Sequence, residues 1–183
     1  MFSTHRRIAL PLFAALMLGL LAIGVSACGS GNPREVEEGE VVKVGGLKYT
    51  VIFSRYLNEN DNEDAAYLLG QQPLQEDSNF FGVFLQVQNT SHETKGLVKR
   101  LTITDAEDNV YDALPSESEF GFPFGGEVTE NEQIPVLDST AQMGAIQGSV
   151  AIFELPEEVS SNRPLLLHIP GPPGESGVVK IDL

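Results

Sequence analysis

The sequence predicts an all-β fold, an antiparallel sandwich of about seven or eight short strands. Three observations carry this. From Val41 onward apolar and polar residues alternate with a period of two, as strands with one buried face do. Clusters of Gly, Pro, Asn and Asp separate the alternating runs, and such clusters mark turns. No apolar run of membrane-spanning length follows the first thirty residues.

Val42 and Val44 lead into Gly45-Gly46, a pair that tolerates positive φ, after which Leu47, Tyr49, Val51 and Phe53 alternate with Lys48, Thr50 and Ser54. This is a β-hairpin signature. Residues 58–70 form an acidic loop, then Ala65-Ala66-Tyr67-Leu68-Leu69 gives one or two helical turns capped by Asp61 or Asn62. Phe81, Val83, Leu85 and Val87 make the next apolar face, with Gln86 and Gln88 opposite and Asn89-Thr90-Ser91 closing the strand. Leu97, Leu101 and Ile103 share a face, and residues 105–109 turn the chain into Val110-Tyr111. A long insertion over 115–133 is rich in Glu, Gly and Phe. Strands over 150–155, 165–169 and 178–183 complete the pattern, divided by Pro156, Pro164 and a loop over 170–177.

The N-terminus sets the compartment. His5, Arg6 and Arg7 precede an uncharged apolar run over 8–25, and small residues follow, the order of a secretory signal. Val25-Ser26-Ala27-Cys28 resembles the lipobox of bacterial lipoproteins. The resemblance implies cleavage between Ala27 and Cys28, a diacylglyceryl group on the Cys28 thiol, and attachment to the outer face of the cytoplasmic membrane. Two or more acyl chains make a stable anchor where one is marginal. An uncleaved spanning anchor is the alternative, but the run is near the minimum length of about 20 residues, and Pro11 interrupts it. The chain then divides into a leader (1–27), a lipidated flexible tether (28–40) and the sandwich (41–183). Cys28 is the only cysteine, so no disulfide is available and the domain rests on its hydrophobic core.

Charge narrows the partners. The chain holds 11 Lys and Arg against 26 Asp and Glu, a net −15, and Arg6 and Arg7 leave with the leader. Nucleic acid is excluded as a partner, since phosphate neutralisation needs clustered cations. By net charge alone, anionic headgroups repel the domain, and the charge favours solubility.

A family resemblance extends over residues 39–183. Its features are Gly39-Glu40-Val41-Val42, the strand Phe84-Leu85-Gln86-Val87-Gln88-Asn89-Thr90-Ser91, the segment Leu101-Thr102-Ile103-Thr104-Asp105, and Gly148-Ser149-Val150-Ala151-Ile152-Phe153-Glu154-Leu155-Pro156. These resemble the telokin-like, immunoglobulin-like domain of unknown function found in Gram-positive and actinobacterial lipoproteins. The resemblance implies a β-sandwich on a lipid tether and brings no catalytic residues. The insertion around 120–126 and the Pro/Gly-rich late loop depart from the pattern.

Candidate chemistry is sparse. Asn58, Asn60, Asp61, Glu63 and Asp64 offer oxygen ligands for a cation, but the calcium-loop positions that need Gly and Glu hold Glu63 and Leu69. His92 falls in a turn, and His168 lies out of phase with Leu165, Leu167 and Ile169, so both read as exposed and incidental. No Gly-x-Ser-x-Gly, phosphate loop or metal-spaced His pair occurs. No cofactor and no catalytic residue is expected. Phe120, Phe122 and Phe124 alternate with Gly121 and Pro123; exposed together they would make a partner-contact patch, and folded back they would form a satellite core. The sequence therefore points to a non-catalytic, membrane-anchored binding or envelope-interaction module, with a small-ligand or cation-binding lipoprotein as alternative and an enzyme with a spatially assembled site behind both.

Overall fold

The computed structural model describes residues 34–181. Two sheets stack face to face. One runs in the order β1 (Arg34–Glu37), β12 (Ser176–Ile181), β11 (Leu165–Pro170), β6 (Thr102–Thr104), β7 (Val110–Asp112). The other runs β10 (Ser149–Pro156), β4 (Ser78–Gln88), β3 (Leu47–Leu57), β2 (Val41–Val44), and β9 (Gln133–Ile134) also pairs with β4. A small ribbon joins β5 (Lys95–Gly96) to β8 (Glu127–Val128).

The all-β sandwich is as the sequence predicts, with two corrections. There are more strands than eight among the described residues: β1, β5, β8 and β9 are pieces of two to four residues, too short to register as alternation. Residues 34–37, expected within a tether over 28–40, instead form a strand. Arg34–Glu37 pairs in parallel with β12, Arg34 opposite Gly177 and Glu37 opposite Lys180. Val36 is buried there between two exposed glutamates, a single apolar residue that gives no periodicity to read.

The hairpin forms at Gly45-Gly46, with φ of 61° and 80°, the left-handed pair that a tight two-residue turn requires. Past Val51 the prediction slips. Val51 pairs with Leu85 and Phe53 with Phe84, leaving Ile52 as a bulge. A bulge inserts one residue and reverses which face follows. Phe53, expected beside Val51 in the core, instead faces outward at 44 % exposure, while Ser54 is buried.

Between the sheets lies the main core, with Tyr49, Phe81, Leu85 and Phe153 from one sheet against Ile103, Leu167 and Ile169 from the other. A second cluster covers the opposite face of β4 and β10: Phe80, Phe84, Val150 and Ile152 pack under Tyr67 and Leu68. Tyr67 ends α1 (Asn62–Tyr67), whose N-cap is Asp61. The insertion protects the edge of β10, since Phe122 N–H donates to Val150 O and Val150 N–H to Phe120 O, each at 2.8 Å. Covering an edge strand removes a template for aggregation. Among the described residues no helix is long and apolar enough to cross a membrane.

Candidate functional site

Ala27 and Cys28, the predicted cleavage and lipidation residues, lie outside the described residues. Of the two readings of the three phenylalanines, the exposed partner-contact patch is corrected and the folded-back one holds, though the rings divide between two clusters. Phe122 is 5 % exposed and belongs to the main core. Phe124 packs against it, centroids 5.0 Å apart, while Phe120 meets Tyr67 edge-on at 5.1 Å in the second cluster. The three rings straddle the edge of β10 instead of sharing an exposed face, because aromatic burial outweighs exposure in water.

The acidic loop also turns inward. Asp64 is buried, and the Arg55 guanidinium clasps both its oxygens, Nη1 donating to Oδ2 at 2.8 Å and Nη2 to Oδ1. Asn58 N–H adds a bond at 2.7 Å. The Arg55 bond holds the Asp64 carboxyl below its ordinary range against the opposing effect of burial. Asp61 Oδ1 accepts from Glu63 and Asp64 N–H, and Asn58 Oδ1 accepts from Asn60 N–H. Glu63 accepts from the Tyr67 hydroxyl at 2.9 Å, which burial, then Glu63, pushes up to about 12. The predicted cation ligands thus cap a helix and close a loop. Among the described residues no three His, Cys, Asp or Glu side chains gather as a metal site.

The histidines differ. His92 is exposed, its Nδ1 2.7 Å from Glu130 Oε1. His168, expected in solvent, is half-buried, with Nε2 2.8 Å from Thr104 Oγ1, and burial lowers its pKa. It lines a shallow cleft of about 320 Å³ with Arg100, Thr102 and Ser176.

That cleft adjoins a larger one that sequence reasoning missed. At the hairpin end of the sandwich a cleft of about 500 Å³ opens between the Gly45 turn, residues 96–100 and residues 170–172. Its wall is apolar, from Val44, Tyr49 and Leu97; its cations are Lys99 and Arg100. Burial pushes the Tyr49 hydroxyl up to about 12, partly offset by its bond to the Val98 backbone. Close approach of the loops depends on Gly171, where a Cβ would sit 2.6 Å from Val44 Cγ1. Glu175 accepts from Gly45 N–H at 2.8 Å and fastens one loop to the other. Lys99 and Arg100 are exposed and in no ion pair among the described residues. The signal was present in the chain as Lys43-Val44-Gly45-Gly46-Leu47-Lys48 and Lys95-Gly96-Leu97-Val98-Lys99-Arg100, two short basic segments hidden by the acidic total.

No family model matches the chain, and no curated protein matches it either. Solved structures do. The chain is similar to the yjhA protein of Bacillus subtilis, at 14 % identity and TM-score 0.53, over 80 % of this chain and 99 % of that one. It is also similar to MPT63, a secreted protein of Mycobacterium tuberculosis, at 11 % identity and TM-score 0.50, over 82 % and 99 %. An uncharacterized β-sandwich protein of Clostridium difficile aligns at 15 % identity and TM-score 0.49, over 82 % and 95 %. At these identities the likeness is one of fold.

Proposed function

We propose that this chain is an extracytoplasmic lipoprotein, anchored through diacylglyceryl-Cys28, whose sandwich is a non-catalytic binding module working through its hairpin-end cleft. The observation that carries the reading is the placement of that cleft. Arg34, six residues after Cys28, pairs with Gly177, directly after the loop that walls the cleft. The chain therefore enters the domain at the end where the cleft opens. Six residues extend at most about 20 Å, so an anchor on Cys28 holds this end near the membrane. The secreted status of MPT63, a fold neighbour, accords with export. A binding role suits the cleft's composition, a few polar groups over an apolar wall. The imidazole of His168 is hydrogen-bonded to Thr104, and among the described residues no third group orients it as a nucleophile–base–orienter chain requires.

Intact-mass and fragment spectra of the protein from its native host test the anchor. The expected result is a mature chain that begins at residue 28 and carries acyl chains there. A free thiol at Cys28 with the leader attached would overturn it.

A further inference from the structure

Net charge says that an anionic membrane repels this domain, but the distribution of charge says otherwise. Beyond the leader the basic residues number nine, and six of them, Arg34, Lys43, Lys48, Lys95, Lys99 and Arg100, sit at the hairpin end. Lys43 and Lys48 face each other across the turn. Lys95 lies over the turn itself, its Cε 3.3 Å from where a Gly46 side chain would begin. Lys99 and Arg100 line the cleft. Acids share this end: Glu93 pairs with Lys95 at 2.7 Å, Glu130 lies against His92, Glu175 accepts from the Gly45 backbone, and Glu35, Glu127 and Glu132 are exposed. The cations that stand outside an ion pair among the described residues are therefore Arg34, Lys43, Lys48, Lys99 and Arg100. The opposite end is the reverse. Its loops over 58–64, 75–78, 105–109 and 156–162 hold eleven Asp and Glu, against which stand Arg55, which clasps Asp64, and Arg163. The Glu157 bond to Asp77 O and the Ala106 bond to Asn162 O gather three of the loops.

We infer that the hairpin end docks on anionic phospholipid headgroups of the membrane that holds Cys28, with Lys99 and Arg100 at the cleft taking headgroup phosphate. This rests on the anchor reading above, and two further observations favour lipid as the occupant. The chain outside the described residues ends at this face and is too short to let it wander far from the bilayer. The acidic pole lies opposite, so the field of an anionic leaflet turns the domain upright, cations down. Juxtamembrane Lys and Arg are attracted within about one Debye length of such a surface, and the tether keeps them in that range.

The experiment uses the full lipidated chain in vesicles of phosphatidylcholine, alone or mixed with phosphatidylglycerol. Because the lipid consumes Cys28, a second cysteine takes a dye, at Thr94 for the hairpin end or at Asn60 for the far end, and a headgroup-labelled lipid quenches it. Phosphatidylglycerol should increase quenching at 94 and leave 60 unchanged, and high salt should reverse the increase. Lys99→Glu with Arg100→Glu should abolish the response while flotation with phosphatidylcholine persists; each cation near the surface is worth about fivefold in local partition. A melt confirms that the variant is folded, and Lys43→Glu reads the same quantity from the other side of the turn. Equal quenching in both vesicle types, with flotation retained, overturns the docking alone. Failure to float with phosphatidylcholine overturns the anchor, and the docking with it.

Discussion

The two ends of the sandwich use charge in opposite ways. At the far end, carboxylates are drawn into the structure. Asp64 is clasped by Arg55, and buried Asp105 accepts from Glu107 N–H, Asn109 N–H, the Asn109 amide and the Tyr111 hydroxyl. Burial drives the Asp105 carboxyl upward, yet those bonds together bring it below its ordinary value. At the hairpin end the cations project outward, and Lys43 stands opposite Lys48 on the same face. A buried charge without a partner is severely destabilising, so the far end shows charge in the service of the fold. Exposed like charges across a turn do nothing for the fold, and directly opposite on antiparallel strands they cost stability.

Core and pole can be set against that surface by substitution. The largest loss belongs to Phe122→Ser, about 3–5 kcal/mol by urea unfolding, as expected when a buried aromatic is truncated. A loss under about 1 kcal/mol would return Phe122 to the exposed patch, the other of the two readings its sequence allowed. Arg55→Met comes next, at about 3 kcal/mol, because it strands the Asp64 carboxylate in the interior. Lys99→Ala should stay within about 0.5 kcal/mol of the parent. Similar losses for Arg55→Met and Lys99→Ala would erase the difference between the ends.

Titration separates them further. Asp64 and Asp105 have folded values below the carboxylate reference of 3.8, so their stabilisation is complete above that value and is lost as pH falls through the folded ones. His168 differs in kind. Its folded value lies below 6.5 through burial, so the unfolded chain binds the proton first and stability declines as pH falls below 6.5. His168→Gln should flatten the stability curve just below 6.5 and leave the acid limb in place. An unchanged slope there would mean that the imidazole is as hydrated folded as unfolded.

Much of the fold was legible because strands with one wet face announce themselves by alternation. The hairpin at Gly45-Gly46, the Phe81-to-Val87 face and the Asp61 cap all follow from local chemistry. The Ile52 bulge did not, since an inserted residue breaks the period without changing composition. Phe80 and Phe84 were likewise opaque as core: a strand buried on both faces reads as a continuous apolar run, and what covers its outer face comes from residues 62–68 and from the insertion. The site was the least legible part. The cleft joins segments near 45, 97 and 171, and only the packing of one sheet on the other brings them together. The basic cluster was visible in the chain but was averaged away in a net charge.

The smallest effect is the most discriminating. Like charges directly opposite on antiparallel strands destabilise, and opposite charges contribute about 0.2–1 kcal/mol. Lys43→Glu converts the Lys43–Lys48 pair from the first kind to the second, with both side chains at the surface. It should raise the melting temperature by about 1–2 °C in a domain of this size. If the hairpin end serves a membrane contact, the same change should weaken the response to phosphatidylglycerol. Gain in stability and loss of docking from one substitution would show that the repulsive pair is retained for the surface it presents. A substitution that stabilises and leaves docking intact would confine the contact to Lys99 and Arg100 on the cleft side of the turn.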